Sequence, residues 1–491
     1  MKRVLTDRVF HLSTLTLASL AIYARAFAWP YSIWEWWREP LLDISKISHE
    51  NPRAIWTYVA SLAILFVCYA LTARVVTGRQ RAAVWVVVIA GAIGFNFVMI
   101  SLYPVGALDL FDNVIRGRMT ACYGANPFYQ TPVEFERDPF FPYAAWDYST
   151  SAYGPLWETI AAVAAKVAGN SMIANVLVFK SVSIGAYAAT AVLIARMLRR
   201  RAPERMLTGI VLFAWNPLVI YTVAGNGHND AVMVFFLVLG FYLLDRGRFT
   251  LAAMAETAGV LVKFIPALIV PVVMVTAITR LRGWPTRIRY TAITAVVCGL
   301  MIIGFYAPFW RGGDVMGVGW RSKMFTSSLP TLLVAWLEPR LTTSVAEMYV
   351  SRVALGILVV WMIWQVIVLW RSKDMDAGIR AGASILMFYL LVSCLWFQPW
   401  YLIWPLALIV LLPNGPLQEG TVLLSYTATW KMPILFFIFT RAVFPLPTAW
   451  PDLPVAIGIM GIVWVYFIYQ GLKLWLDPAK RRAGARTENP Q

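Results

Sequence analysis

From Ala83 to Tyr103 the chain runs without a charged side chain, and comparable stretches recur at Arg205–Ala224, Thr291–Pro308 and Met348–Trp370. Each offers roughly 18 to 23 mostly apolar residues, the length a helix needs to cross the hydrocarbon core of a bilayer. Water cannot solvate such a chain: 60% of its 491 residues are hydrophobic and only 14% charged, more apolar surface than one soluble core could hide. A transmembrane barrel would show apolar/polar alternation over ~10-residue strands, and that alternation is absent. The pattern selects an all-α fold, a polytopic transmembrane helical bundle.

Apolar segments lie near 9–28, 55–73, 83–103, 155–169, 172–195, 206–224, 230–245, 251–277, 291–309, 348–370, 379–396, 400–413, 420–440 and 453–472. They make about 12–14 membrane segments, several short enough to be half-helices. The first follows a basic start, Met1 to Arg8, and is too long and too aromatic for a cleaved signal. Lys and Arg number 42 against 25 acidic residues, but they sit in short clusters between apolar segments. They are therefore topology signals rather than a nucleic-acid surface. Connectors at Lys2/Arg3/Arg8, Arg74/Arg79/Arg81, Arg280/Arg282/Arg287/Arg289, Arg371/Lys373 and Lys480/Arg481/Arg482/Arg486 are expected in the cytoplasm. That leaves 104–152 and 310–330 as external loops, 473–491 as a cytoplasmic tail, and 1–491 as one multi-pass domain of a plasma (inner) membrane. The four cysteines are scattered and imply neither a disulfide framework nor a metal site.

Arg196, Arg199, Arg200, Arg201 and Arg205 break the scheme, because strict alternation puts them outside. Either the positive-inside rule fails there, or segments 155–169 and 251–277 do not cross simply. The second alternative is favoured by Glu158 and Lys166 in the first segment and by Glu256, Lys263, Pro266 and Pro271 in the second.

The loop 104–152 is the longest polar connection, rich in aromatics and proline, and is expected to fold into amphipathic helices and turns on the membrane surface. Asp109 stands at its start, just beyond an apolar span, where an ionisable group is costly unless it works or is paired. It can be a general base or a helix-capping acid. His228, Asn229 and Asp230 interrupt an apolar run and can hold a ligand or cap the next helix. Lys263 lies within Val260–Pro266, where an ammonium costs ~2.5 kcal/mol or more unless it meets an anion. Arg311, Arg321 and Lys323 offer a second cationic group, and Tyr153, Trp400 and Tyr401 offer aromatic faces that suit a sugar or an interfacial belt.

The order of the short motifs resembles the bacterial polyprenyl-phosphate-mannose-dependent alpha-mannosyltransferases of the GT-C glycosyltransferase superfamily. The matching pieces are Asp109-Leu110-Phe111, Arg116-Gly117-Arg118-Met119, Gly124-Ala125-Asn126-Pro127-Phe128, Tyr153-Gly154-Pro155-Leu156, Asn216-Pro217-Leu218, Gly227-His228-Asn229-Asp230, Lys263 before Pro266, and Pro399-Trp400-Tyr401. The resemblance implies a GT-C type bundle and a catalytic acid on the first large external loop, Asp109, with Asp112 as the other candidate. Phe111 and Asp112 stand where the family usually carries tyrosines, which leaves the choice between the two acids open. It also implies a cavity faced by His228, Asn229 and Asp230, with Tyr153, Trp400 and Tyr401 as further substrate contacts. On this reading Lys263 and Arg321 or Lys323 hold the phosphate of a polyprenyl-phosphate sugar. A hexose, mannose by resemblance, passes with inversion to a glycolipid or glycan acceptor at the external face. The lipid-linked sugar is a co-substrate, and no cofactor or metal is called for. The competing class is a transporter or flippase, whose two halves would be related; no such internal symmetry is visible.

Overall fold

The structure, a computed structural model, describes residues 8–78, 80–106, 108–312, 324–441 and 452–476. Among these residues every named element is helical. The chain divides into two compact units, Met1–Val273 with Gly283–Arg321, and Met274–Arg282 with Ser322–Gln491.

In the first unit, α1 (Arg8–Ile22) runs on through a π-helical turn to Ala28, followed by α2 (Pro52–Val75) and α3 (Ala82–Met99). After the loop come α4 (Asp109–Tyr123), α5 (Pro155–Ala168) and α6 (Met172–Arg201). Then follow α7 (Met206–Ala214), α8 (Asp230–Asp245), α9 (Phe249–Val262), α10 (Val270–Arg280), which enters the second unit, and α11 (Trp284–Tyr306). Val86, Ile93 and Phe97 of α3 face outward and exposed, as apolar side chains do where lipid is the solvent.

Eight described helices are long and apolar enough to cross a membrane, or nine if the pair Pro203–Ala214 and Pro217–Gly225, bent by 50°, is one span. The larger count expected from sequence reflects apolar segments that come out short or broken. Asn216-Pro217 splits 206–224, and 251–277 breaks at Lys263, whose backbone is extended (φ −154°, ψ 137°). Pro266 lacks the N–H that a continuing helix would need, so the chain re-forms as α10.

Hydrogen bonds within the first unit show which connectors share an end. At one end Arg201 meets Asp245 at 3.0 Å, Thr208 reaches the Val76 carbonyl at 3.4 Å, and Thr250 lies 3.3 Å from Thr294. This end carries Arg74, Arg81, Arg199, Arg200, Arg246, Arg248 and Arg287. At the opposite end Tyr103 donates to the Glu39 carbonyl (2.9 Å), Asn126 to the Phe309 carbonyl (2.7 Å) and the Gly154 N–H to the Val262 carbonyl (3.0 Å).

Helix α5 is one of the two segments on which the side of the arginine cluster depends. Both of its ends are tied to α4: Trp157 donates to Asn113 at 2.9 Å, and Arg118 donates to the Gly169 carbonyl at 3.1 Å. With 14 residues, about 21 Å of helix, α5 lies along α4 and is shorter than the helices long enough to span a bilayer. The 30-residue α6 then runs to the arginine-rich end, and both segments named in the second alternative depart from a long straight helix, 155–169 being short and 251–277 broken at Lys263.

The second unit is built on α12 (Leu329–Leu337), α13 (Thr343–Ser372), α14 (Met375–Phe388), α15 (Ile403–Ile409), α16 (Pro416–Thr427), α17 (Lys431–Arg441) and α18 (Asp452–Leu476). Trp361 stacks on Phe388 with centroids 4.7 Å apart. Buried Lys431 donates to the Phe397 carbonyl (3.1 Å) and to the Gln398 side chain (2.9 Å), bracing the turn that precedes Trp400.

Candidate active site

The loop 104–152 is a packed insertion rather than a floppy linker. Asp112 to Met119 of α4 are all buried, and two 3-10 turns, Pro132–Phe135 and Phe141–Tyr143, complete it. Arg118 is saturated: its Nε lies 3.0 Å from both Asp138 oxygens, its Nη1 reaches Gly169 and Asn170, and its guanidinium lies 4.3 Å over the Phe140 ring. A bidentate pair this well bonded holds the loop together.

Asp109 is the first residue of α4, and the residue at the cap position is Leu108, with no side-chain cap bond. The capping role open at the level of sequence therefore has no counterpart here. Asp109 Oδ2 accepts from the Tyr153 hydroxyl at 3.4 Å and lies 4.0 Å from His228 Nδ1, with about a quarter of its side chain (26%) exposed. Desolvation raises its carboxyl above the usual carboxylate range, while the Lys263 ammonium pulls it back. Burial and the same ammonium push His228 below the ordinary imidazole value, so the neutral ring is favoured beside the acid.

Lys263 Nζ meets Asp230 Oδ1 at 2.8 Å and lies 5.8 Å above the Tyr153 ring. The break between α9 and α10 thus delivers an ammonium to the start of α8, whose first residue is Asp230. The tight turn before α8 needs glycine. Gly227 has φ +69°, and a Cβ there would come within 2.3 Å of Leu110. Asn226 ties this turn to the head of the loop by accepting from Gly106 N at 2.8 Å, and Ser183 donates to the Gly227 carbonyl at 3.2 Å. Gly154 allows a different close approach: a Cβ there would sit 2.2 Å from the Leu261 carbonyl oxygen, where Tyr153-Gly154-Pro155 passes the end of α9.

Asp112 occupies a different setting three residues further along α4. It is 1% exposed, accepts from Trp146 N at 2.9 Å, and lies 4.0 Å from Arg116, which itself donates to the Trp146 and Ser149 carbonyls. Burial raises its carboxyl to about 7. These contacts pin residues 146–149 of the loop.

The structure therefore brings together Asp109, Tyr153, His228, Asp230 and Lys263, with Asn229 between the last two turn residues. Arg321 and Lys323 lie outside the described residues. Trp400 and Tyr401 belong to the second unit, where Tyr401 stacks on Trp404 with centroids 4.2 Å apart. Other motif residues are scaffold. Asn216 caps the turn at Pro217 by accepting from Leu218 N at 3.0 Å, and Asn126 anchors Phe309. Sequence reading passed over the support of Tyr153. Fully buried Glu158 accepts from Ser151 Oγ, which in turn accepts from Tyr153 N at 3.1 Å. Its signal was an acid three residues into an apolar segment, legible as unusual but without a partner to name.

An all-α bundle with eight described helices long and apolar enough to cross a bilayer is a GT-C type membrane fold. The chain belongs to one such family: residues 12–279 match the family described as alpha-(1->6)-mannopyranosyltransferase, N-terminal domain, in agreement with the resemblance carried by the motifs. It is similar to alpha-(1->6)-mannopyranosyltransferase A of Mycobacterium tuberculosis, 22% identical over 357 residues that cover 67% of this chain and 66% of that protein. It is also similar to alpha-(1->6)-mannopyranosyltransferase B of Corynebacterium glutamicum, 28% identical over 152 residues that cover 29% of this chain and 24% of that protein. The chain thus matches just under two thirds of the length of the first relative, and the matched family region holds all the site residues gathered above.

Proposed function

We propose that this protein is a membrane glycosyltransferase that moves a hexose, mannose by its relatives, from a polyprenyl phosphate to a hydroxyl of a glycolipid or glycan acceptor. The observation that carries the reading is the juxtaposition of Asp109, 4.0 Å from His228, with the Lys263–Asp230 pair at the end of the unit opposite its arginine cluster. Lys and Arg favour the cytoplasmic side, which supports an external site.

In the proposed step the acceptor hydroxyl attacks the anomeric carbon from the face opposite the phosphate, so the configuration inverts. Asp109 takes the hydroxyl proton, and the bond between the anomeric carbon and the phosphate oxygen breaks with its electron pair staying on phosphate. Lys263, paired with Asp230 at 2.8 Å, stabilises that growing charge with its ammonium. A carboxyl raised toward the working pH is a better match to proton transfer than an ordinary surface aspartate.

Purified protein supplied with labelled polyprenyl-phosphate mannose and an acceptor should release carrier phosphate, and Asp109→Asn should abolish that release while folding is kept. Normal turnover by Asp109→Asn would reject the assignment. Movement of lipid across vesicles without release would favour a flippase.

A further inference from the structure

Asn229 carries a cost that the fold itself does not explain. It is 1% exposed, yet neither its amide oxygen nor its amide nitrogen has a hydrogen-bond partner. Buried polar groups are nearly always satisfied, because each one left unpaired loses its hydration for nothing. Among the described buried asparagines, Asn96, Asn113, Asn126, Asn175, Asn216 and Asn226 each make at least one side-chain hydrogen bond.

The ordinary explanation for asparagine at this place is a helix cap, and the geometry rules it out. Asn229 sits at the cap position of α8 with φ −66° and ψ −11°, already helical, and its side chain caps nothing. A capping asparagine has an extended backbone, as Asn216 does at φ −61° and ψ 121°.

Its neighbours show what the amide is held beside. His228 faces Asp109, and Asp230 holds Lys263. Consecutive Cα atoms are about 3.8 Å apart, so the backbone of Asn229 lies within one residue of both groups. A donor whose phosphate meets Lys263 and whose anomeric carbon faces Asp109 has its sugar ring at this turn. An amide presents one acceptor and two donors side by side, which matches two hydroxyls on neighbouring ring carbons.

We infer that Asn229 is the specificity-determining residue for the donor sugar, its amide binding a vicinal pair of hydroxyls next to the anomeric carbon, at C2 and C3 of a pyranose. The inference rests on the proposed glycosyl transfer and adds the substrate feature that is read.

The test compares wild type, Asn229→Ala and the isosteric Asn229→Asp on polyprenyl-phosphate mannose and on its 2-deoxy and 3-deoxy analogues, with thermal unfolding followed in detergent. Wild type is expected to lose roughly 10- to 100-fold in kcat/KM on at least one deoxy donor, as for a buried polar group left unpaired. Asn229→Ala should lose a similar factor on the full sugar and no longer distinguish it from that analogue, while its unfolding temperature stays level or rises. Asn229→Asp, which keeps the shape and removes the N–H donors, should be impaired without loss of folding. If Asn229→Ala discriminates among the donors as wild type does, or if its activity falls only in step with its unfolding temperature, the assignment of Asn229 is overturned while the transferase reading stands. If wild type uses none of these donors, both fall together.

Discussion

The two ends of α4 carry charged motif residues under opposite terms. Towards its C-terminus Arg118 has every described donor engaged, on Asp138, Gly169, Asn170 and the Phe140 ring. At its N-terminus Asp109 has one long hydrogen bond at 3.4 Å and an imidazole at 4.0 Å, and desolvation raises its carboxyl. Both lie in the ordered motifs, so membership of a motif does not separate chemistry from scaffold. Hydrogen-bond accounting does: a saturated buried charge holds the fold, and an under-satisfied one beside other ionisable groups is available to a substrate.

The comparison can be broken most directly at Asp109. Asp109→Asn should lower transfer by roughly 10²–10⁴-fold, the range of general-base catalysis, with little change in unfolding temperature. A folding defect of the same size would put Asp109 with the scaffold. At the other end, Asp138→Ala leaves Arg118 buried and unpaired, which should cost about 3–5 kcal/mol of stability. The check is thermal or denaturant unfolding, and unchanged unfolding would remove the contrast.

A smaller effect is expected at the ammonium. Lys263→Ala should weaken use of the donor by roughly 10- to 100-fold, as for loss of a charge-assisted hydrogen bond, seen mainly in KM if donor binding precedes chemistry. Equal KM with reduced kcat would restrict Lys263 to the departing phosphate. The smallest effect sharpens the distinction between the two acids. Asp112 has a folded-state pKa of about 7 against an ordinary aspartate value of 3.8, raised by burial. A raised carboxyl value means that its contribution to stability is fully present below the unfolded value and is lost as pH rises through about 7. Asp112→Asn retains an oxygen to accept from Trp146 N, so it should flatten the fall in unfolding temperature over that window and leave transfer measurable. Loss of transfer with an unaltered stability profile would return Asp112 to the list of bases.

Much of this was legible in residue order. Length and apolar composition were enough for an all-α membrane bundle, and Asp109, His228, Asn229, Asp230 and Lys263 stood out as polar groups at apolar borders. The same signal does not separate full spans from short or broken segments, because apolar runs such as 155–169 look alike whether they cross the membrane or lie along a neighbour. Only the bonds of Trp157 and Arg118 at the two ends of α5 show that it lies along α4.

What the sequence determined by itself was everything that depends on local periodicity and composition: the solvent of the chain, its helices, and the short turns where glycine and proline interrupt them. Tertiary structure alone decided which of two nearby acids faces the histidine and the lysine, which arginine is a strut, and that Lys263 meets an aspartate thirty-three positions earlier. The physical reason is that desolvation and pairing are sums over neighbours brought from distant parts of the chain, and no window of sequence contains those neighbours.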